Sequence, residues 1–380
     1  MPEIGNAEFF IELKDWSERK LNILEKYLDP FTKILGSQYS SKYVYYIDAF
    51  AGAGLYGDGS KGSAVRAAEL AQQYERDNKP YRLRCINIEA DQRNFKDLQK
   101  NTAQFENLVI NLQGTFVDNV AQVLNQISNS PALCFLDPFG IKGIDAWEVI
   151  QQIIHRGSPT DFWIRFDYIT LSRLAGFYES DAIMANKNLD TLCATYGIND
   201  KDLLFGLISG DTIEEKRINA VNLYLRRLTE EFQKTRRKGF AAYYPIKSIT
   251  GQDKYFLVFA SGHPKGAIIA SELICGIEEN YQREIEEFRA SKPRQLSIFP
   301  EPTEEEIFQD KVARLQNSIV NSCSNERLSR EEIYERILPD WFGKIRATHM
   351  TKAIKGLQKR GIITTSTGTA GDRKSIFTFK

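Results

Sequence analysis

Residues 42–54 read KYVYYIDAFAGAG. The β-branched and aromatic run from Tyr43 to Ile47 ends on an acid and passes straight into a turn with two glycines. That is the pattern of a strand buried on both faces entering a tight loop. In an open parallel sheet, ligands bind outside the carboxyl ends of the strands, so Asp48 to Gly54 is the first place to look for chemistry. Gly52 and Gly54 let the backbone pass close to a ligand, and Asp48 offers a carboxylate to a cationic or hydroxyl group. A simple tight turn has the same composition, and both readings stay open here.

Before this stretch, Leu13, Trp16, Leu21, Leu24, Leu28, Phe31 and Leu35 recur every three to five residues, which predicts one or two amphipathic helices over residues 1–40. After it, helix and strand alternate: SAVRAAELAQQYER with Ser63 as the expected N-cap, the strand RLRCINIEA, the helix DQRNFKDLQKN, a strand at Leu108–Leu112, a helix at Asn119–Gln126 and the strand ALCFLD. Such alternation predicts βαβ units and a mostly parallel sheet covered on both faces. A further strand lies at DFWIRFDY. FAAYYPIKSI and KYFLVFAS, separated by GQD, read as a hairpin, and the helix-rich residues 170–238 read as an insertion before it.

Two more strand ends carry candidate chemistry. Glu89 closes CINIE, where a nucleoside-binding sheet places the acceptor for ribose hydroxyls, although an acid at a helix N-terminus is equally ordinary. Asp137, Pro138, Phe139 and Gly140 follow ALCFL; an acceptor carboxylate, a rigid proline and an aromatic face together suit a planar amine, and an Asp-Pro turn is the plainer reading.

Composition narrows the classes. Fifty Lys+Arg balance fifty Asp+Glu, with 42% hydrophobic residues, which is a globular composition and not that of a wholly basic nucleic-acid binder. No apolar run approaches the length of a membrane helix, and the five cysteines are widely spaced without any C-x-x-C, so a reduced, cytoplasmic chain with no membrane partner is expected. Three histidines, with neither H-E-x-x-H nor G-x-S-x-G, point away from zincins and serine hydrolases, and no metal site is expected. The Walker sequence is absent because Lys61 precedes Gly62 rather than Ser or Thr.

The stretch RASKPRQLSIFPEPTEEE gathers Pro, Ser and charge, the composition of a linker at 289–302. Beyond it, three helical patterns and two strands joined by a Gly-containing turn form a winged-helix pattern over 303–380. Residues 327–380 hold 12 Lys+Arg against five acids. On the third helix Met350, Ile354 and Leu357 share one face while Lys352, Lys355 and Lys359 share another, and Arg373 with Lys374 falls in the wing, a layout suited to phosphate contact. A solvated basic face on a protein-binding domain is the alternative. The basic run Arg226-Arg227 and 234–238 reads as a solvated helix face.

Taken together, DAFAGAG, the acid of NIEAD and LDPFG resemble motifs I, II and IV of the class I S-adenosylmethionine-dependent methyltransferases. With RKLNILEKYLDPFTKIL (19–35), Lys61-Gly62-Ser63 and YFLVFASGHPKG (255–266), the chain more narrowly resembles the three-Cys-motif partner family over most of residues 15–280. The resemblance implies a Rossmann-like methyltransferase sheet over 41–288 and S-adenosylmethionine as cofactor. Asp48, Phe50, Gly52 and Gly54 would then lie at its methionine end, Glu89 would hold its ribose, and Asp137 to Gly140 would face the methyl acceptor. It also implies a partner protein carrying the three cysteines. Phe139 and Gly140 depart from the D-P-P-[YF] of amino-group nucleic-acid methyltransferases, but DPFG is similar to the form in transfer-RNA guanine N2-methyltransferases, which keeps an exocyclic amine as the expected acceptor. Ala64 stands where the family tends to have Pro. The expected function is therefore methyl transfer to a nucleic-acid base. The alternative is a non-catalytic nucleotide-sensing or assembly module.

Overall fold

The computed structural model describes residues 14–38, 43–138, 146–168, 183–290, 303–372 and 374–380. They fall into two compact units, Met1–Gly266 and Ala267–Lys380.

The first unit is built on seven strands: β1 Tyr43–Asp48, β2 Arg82–Glu89, β3 Val109–Gln113, β4 Ala132–Leu136, β5 Thr160–Phe166, β6 Phe240–Lys247 and β7 Asp253–Ser261. They lie in the order β3-β2-β1-β4-β5-β7-β6. The first five are mutually parallel, and β7 runs antiparallel to both β5 and β6. The 3-2-1-4-5 part is the order of the doubly wound dinucleotide-binding sheet, with its switch point between β1 and β4. The expected hairpin is the β6–β7 pair, and the sheet is Rossmann-like.

Side-chain alternation sorts the strands' residues onto two faces. Ile47, Ile86, Ile88, Cys134, Leu136, Phe162, Ile164, Phe166, Phe256 and Val258 enter one apolar cluster. To it α4 (Phe116–Ile127), α5 (Trp147–His155), α6 (Ile183–Tyr196), α7 (Lys201–Ile208) and α8 (Ile213–Lys234) add their buried residues. The expected insertion is thus largely a cover for this face: Val221, Tyr224, Leu228 and Phe232 of α8 belong to the same core as the strands.

The other face carries the intervening residues and lies under α1 (Asp15–Gln38), α2 (Ser63–Arg76) and α3 (Gln92–Thr102). Tyr27 of α1 packs edge-on to Trp163 and Phe259, with ring centroids 5.7 and 5.2 Å away. Helix α1 is therefore part of the sheet's own core rather than a separate N-terminal segment. Its apolar stripe, Leu21, Leu24, Tyr27, Leu28 and Phe31, is fully buried because the sheet face opposite is itself apolar. Ser63 is the first helical residue of α2, and Gly62 holds the cap position.

The second unit begins at Ala267, so the body of α9 (Pro264–Ala290) groups with the C-terminal elements instead of ending the sheet domain at 288. With it stand α10 (Glu304–Cys323), α11 (Arg330–Trp341), α12 (Ala347–Lys359) and an antiparallel sheet of β8 (Arg327–Ser329), β10 (Ile376–Phe379) and β9 (Ile363–Thr367), in the order β8-β10-β9. Strand β8 has three residues, too few to show a periodicity in the sequence. Most of residues 289–302 lie outside the described residues. Among the described residues no helix is long and apolar enough to cross a membrane.

Candidate functional site

Period-2 alternation decides where the sheet's polar residues meet. Asp48 ends β1, Glu89 ends β2, Asp137 directly follows β4, and Arg165 is the penultimate residue of β5. None of the four joins the apolar cluster on the α8 side; each alternates with a residue that does (Ile47, Ile88, Leu136 and Ile164). All four lie on the opposite face, at the carboxyl end of the sheet. Tyr255, near the start of antiparallel β7, joins them there.

The turn after β1 is built as the two glycines require. Gly52 and Gly54 adopt φ of 61° and 80°, the left-handed region where a side chain is strained. The turn is clasped from β2: the Gly52 N–H donates to Glu89 Oε2 at 2.8 Å, and the Asp91 N–H donates to Oε1 at 2.7 Å. From α3, Asn101 Nδ2 donates to the Ala53 carbonyl at 2.8 Å. Desolvation pushes the Glu89 carboxyl upward despite these backbone donors. Each Glu89 oxygen keeps a lone pair beyond the one it has used, so the pair can still accept two ligand hydroxyls. The cradle thus fits a ribose diol approached by a glycine backbone.

Asp48 lies beneath the turn, fully buried. Its carboxylate accepts from the Tyr46 hydroxyl at 3.0 Å and from the Phe50 N–H at 3.3 Å, with the Ser63 hydroxyl as a further partner. Burial raises it to about 6, against the pull of these donors, and the charge of Asp137 adds to the rise. Asp48 therefore supports the turn from below. Phe50 is half-buried, and its ring packs against the apolar cluster of the opposite face.

Asp137 is held by two cations absent from the sequence reading. Lys20 of α1 donates from Nζ to Oδ2, and Arg165 NH1 stands 3.7 Å from Oδ1 while its NH2 reaches Asp167 at 3.3 Å. Burial opposes ionisation of Asp137, but the Lys20 ammonium and the Arg165 guanidinium outweigh it and hold the carboxyl below its usual value. Lys20 is itself lowered, first by desolvation and further by Arg165, with Asp137 opposing. The Arg165 guanidinium stacks over the Tyr255 ring at 4.6 Å, and Lys20 Nζ sits 5.6 Å from the Phe135 ring centre. Pro138 is buried, and Phe139 and Gly140 lie outside the described residues.

Lys20 left a trace in the sequence: Trp16, Lys20, Ile23 and Tyr27 follow helical spacing, which puts the lysine on the apolar stripe. The sheet brings Asp48, Gly52, Gly54, Glu89 and Asp137 to one edge.

In the second unit, Lys352, Lys355 and Lys359 are exposed on α12 while Met350, Ile354 and Leu357 are buried. Lys374 is exposed, and Arg373 lies outside the described residues. Cys275, Glu279 and His349 bring one donor atom each within 4.8 Å of one another. All three are already engaged, Cys275 through its thiol, which donates to Glu279 Oε1 at 3.5 Å. Arg346 pairs with Glu279, and the Arg346 N–H donates to His349 Nδ1 at 3.1 Å, which places the ring proton on Nε2 and leaves that nitrogen a donor. The cluster does not fit a metal.

No protein-family profile matches the chain, and no curated protein matches it. Solved structures that match include an O-methyltransferase from Bacillus cereus in complex with SAH, at a TM-score of 0.33 and 12% identity over 66% of this chain and 83% of that one. An O-methyltransferase from Streptomyces achromogenes in complex with SAM matches at 0.30 and 12%, covering 68% and 95%. A further solved structure, from Klebsiella pneumoniae, matches at 0.29 and 12%, covering 67% and 92%. Likeness at this level assigns neither family nor ligand.

Proposed function

We propose that the first unit is an S-adenosylmethionine-dependent methyltransferase domain of the three-Cys-motif partner kind, acting on an exocyclic amine of a nucleic-acid base. The observation that carries this reading is the clasp of Glu89, at the end of β2, on the Gly52 backbone of the turn after β1, a diol acceptor beside a glycine turn at the carboxyl end of the sheet. S-adenosylmethionine would supply an electrophilic methyl on sulfonium sulfur. Glu89 would hold its ribose, and Gly52 and Gly54 would lie along its methionine end. Asp137, kept ionised by Lys20 and Arg165, would accept a hydrogen bond from the acceptor amine and orient its lone pair.

Calorimetry with S-adenosylmethionine tests the cofactor. The wild-type chain is expected to bind, and Gly52→Val to lose binding while staying folded, because a β-branched side chain at φ 61° is strained and fills the approach to the turn. No binding heat with the wild type overturns the reading.

For the second unit the same proposal takes a winged helix whose α12 lysines contact phosphates. Changing Lys352, Lys355 and Lys359 together to Gln should weaken binding to duplex DNA or structured RNA across sequences. It should also flatten the slope of log affinity against log salt by about 0.9 for each lost phosphate contact on DNA. An unchanged slope leaves a protein partner as the occupant of that face. The engagement of Asp137 Oδ2 by Lys20 favours a second reading: a non-catalytic module that binds the cofactor to fix its shape for a partner protein. Tight cofactor binding with no transfer to cellular RNA or DNA selects it.

A further inference from the structure

Asp137 is satisfied on one side only. Oδ2 takes Lys20, whereas Oδ1 is buried with no hydrogen-bond donor among the described residues, since Arg165 at 3.7 Å is within ion-pair range and beyond hydrogen-bond range. A desolvated carboxylate oxygen without a donor is costly, so a fold that keeps one at the carboxyl end of its sheet leaves it for something to fill. Lys20 reaches Oδ2 of Asp137 from an unusual place. It is buried on the apolar stripe of α1, one turn before Leu24 and two before Tyr27, and its ammonium has Asp137 as its charged partner.

We propose that Lys20 is a positioning residue for the acceptor: by occupying Oδ2 it turns Asp137 into a one-sided acceptor whose Oδ1 takes a single hydrogen from the group to be methylated. This rests on the proposed transferase reading and narrows its substrate class. The acceptor must bring a proton to donate, as a neutral amine or amide N–H does. A carboxylate or phosphate oxygen at Oδ1 would set two anions against each other in a dry site, and is excluded. Arg165 serves the same end from β5, held in place by Asp167 and the Tyr255 ring.

Among the described residues the groups facing Asp137 are Lys20 from α1, Arg165 from β5, Asp48 from β1, Tyr56 from the glycine loop and Tyr255 from β7. Of these only the first two are cations, so among the described residues removing Lys20 leaves burial opposed by Arg165 alone. The test compares wild type, Lys20→Met, Asp137→Asn and the double variant Lys20→Met/Asp137→Asn. The readouts are transfer of tritiated methyl from S-adenosylmethionine to mixed cellular RNA and DNA across a pH series, cofactor calorimetry and thermal melting. Lys20→Met is expected to slow transfer about 10- to 100-fold with cofactor affinity within about threefold, and to move the acid limb of the rate profile toward neutral pH. The double variant, with a neutral amide at position 137 and a neutral thioether at position 20, is expected to melt higher than either single variant and yet to transfer no faster than Asp137→Asn. Wild-type rates in Lys20→Met, or a double variant that regains rate together with its melting temperature, overturn the inference. A wild type that transfers to no acceptor instead overturns the transferase reading, and the inference with it.

Discussion

The two ends of the sheet face under α1 hold aspartates in opposite states. At the carboxyl end Asp137 meets Lys20; at the other, Asp161 at the start of β5 accepts from the Tyr27 hydroxyl at 2.5 Å, with the Ser261 hydroxyl as a second partner. Lys20 and Tyr27 are seven residues apart, so one stripe of one helix supplies both partners, about 10 Å apart along its axis. Burial pushes both carboxyls upward. Two cations reverse it at Asp137, whereas neutral hydroxyls at Asp161 leave it raised to about 6, with Arg237 lowering it only in part. A fold needing only a clamp can use a neutral hydrogen bond between hydroxyl and carboxyl. Holding a charged carboxylate in the same helix–sheet interface takes two further cations, Lys20 buried and Arg165 half-buried, which is the arrangement of a site rather than of a scaffold.

The largest effect that can break this contrast is at Asp137. Asp137→Asn leaves Lys20 without its ion-pair partner and Arg165 with Asp167 alone, and removing one member of a buried pair costs about 3–5 kcal/mol. Urea unfolding should show a loss of that order, with much of it recovered when Lys20→Met is added, because the two changes share one interaction. Additive losses would mean that the pair is not coupled and that Asp137 is no more than a turn residue.

The pH dependence of stability separates the ends next. Asp161 is raised in the folded state from 3.8 to about 6, so its contribution to stability is full below about pH 4 and is lost as pH rises through about 6. At about 1.4 kcal/mol for each unit of pKa, the loss is roughly 3 kcal/mol. Asp48, also raised to about 6, carries the same sign, while Asp137, lowered, carries the opposite sign and loses its contribution only in acid. Asp161→Asn should therefore flatten the decline between about pH 4 and 6 by roughly 3 kcal/mol, read from urea midpoints along a pH series. A variant with the wild-type slope would show that Asp161 stays ionised like Asp137.

How much of this contrast is legible in the sequence follows from range. The strand ends are readable because each is announced locally, by a β-branched run stopping at an acid or a glycine, and the order of helix and strand then implies the parallel sheet. The partners are not: Tyr27 meets Asp161 from 134 residues away and Lys20 meets Asp137 from 117, and no local pattern specifies either pairing. Arg165 sits among Phe162, Trp163, Ile164 and Phe166 in a strand buried on both faces, where alternation gives no polar side to read. The proline-rich stretch is the local signal for a linker and puts the domain boundary there. Helix α9, however, buries Ile274 and Cys275 and receives the Gly343 N–H on Ser271, long-range contacts that assign it to the C-terminal unit.

The smallest effect tests whether the neutral end is as tightly built as a clamp requires. Gly266, in the first turn of α9, packs against the Asp161 pair. A Cβ there would stand 2.8 Å from Ser261 Oγ, 3.0 Å from Asp161 Oδ2 and 3.1 Å from the Tyr27 hydroxyl. None of these three is the free end of a flexible chain, since each is fixed by hydrogen bonds to the others or to nearby backbone. Gly266→Ala should gain several tenths of a kcal/mol from helix propensity and lower backbone entropy in the unfolded chain. Against that, crowding a packed site typically costs about 1–3 kcal/mol, so the net expectation is a loss of about 1–2 kcal/mol in urea. The loss should fall on the Asp161 end alone, with S-adenosylmethionine affinity unchanged, because Lys20 lies about two helical turns away along α1. A neutral or stabilising Gly266→Ala would mean that the Tyr27–Asp161 contact gives way readily, and the contrast would then lie in rigidity as well as in charge.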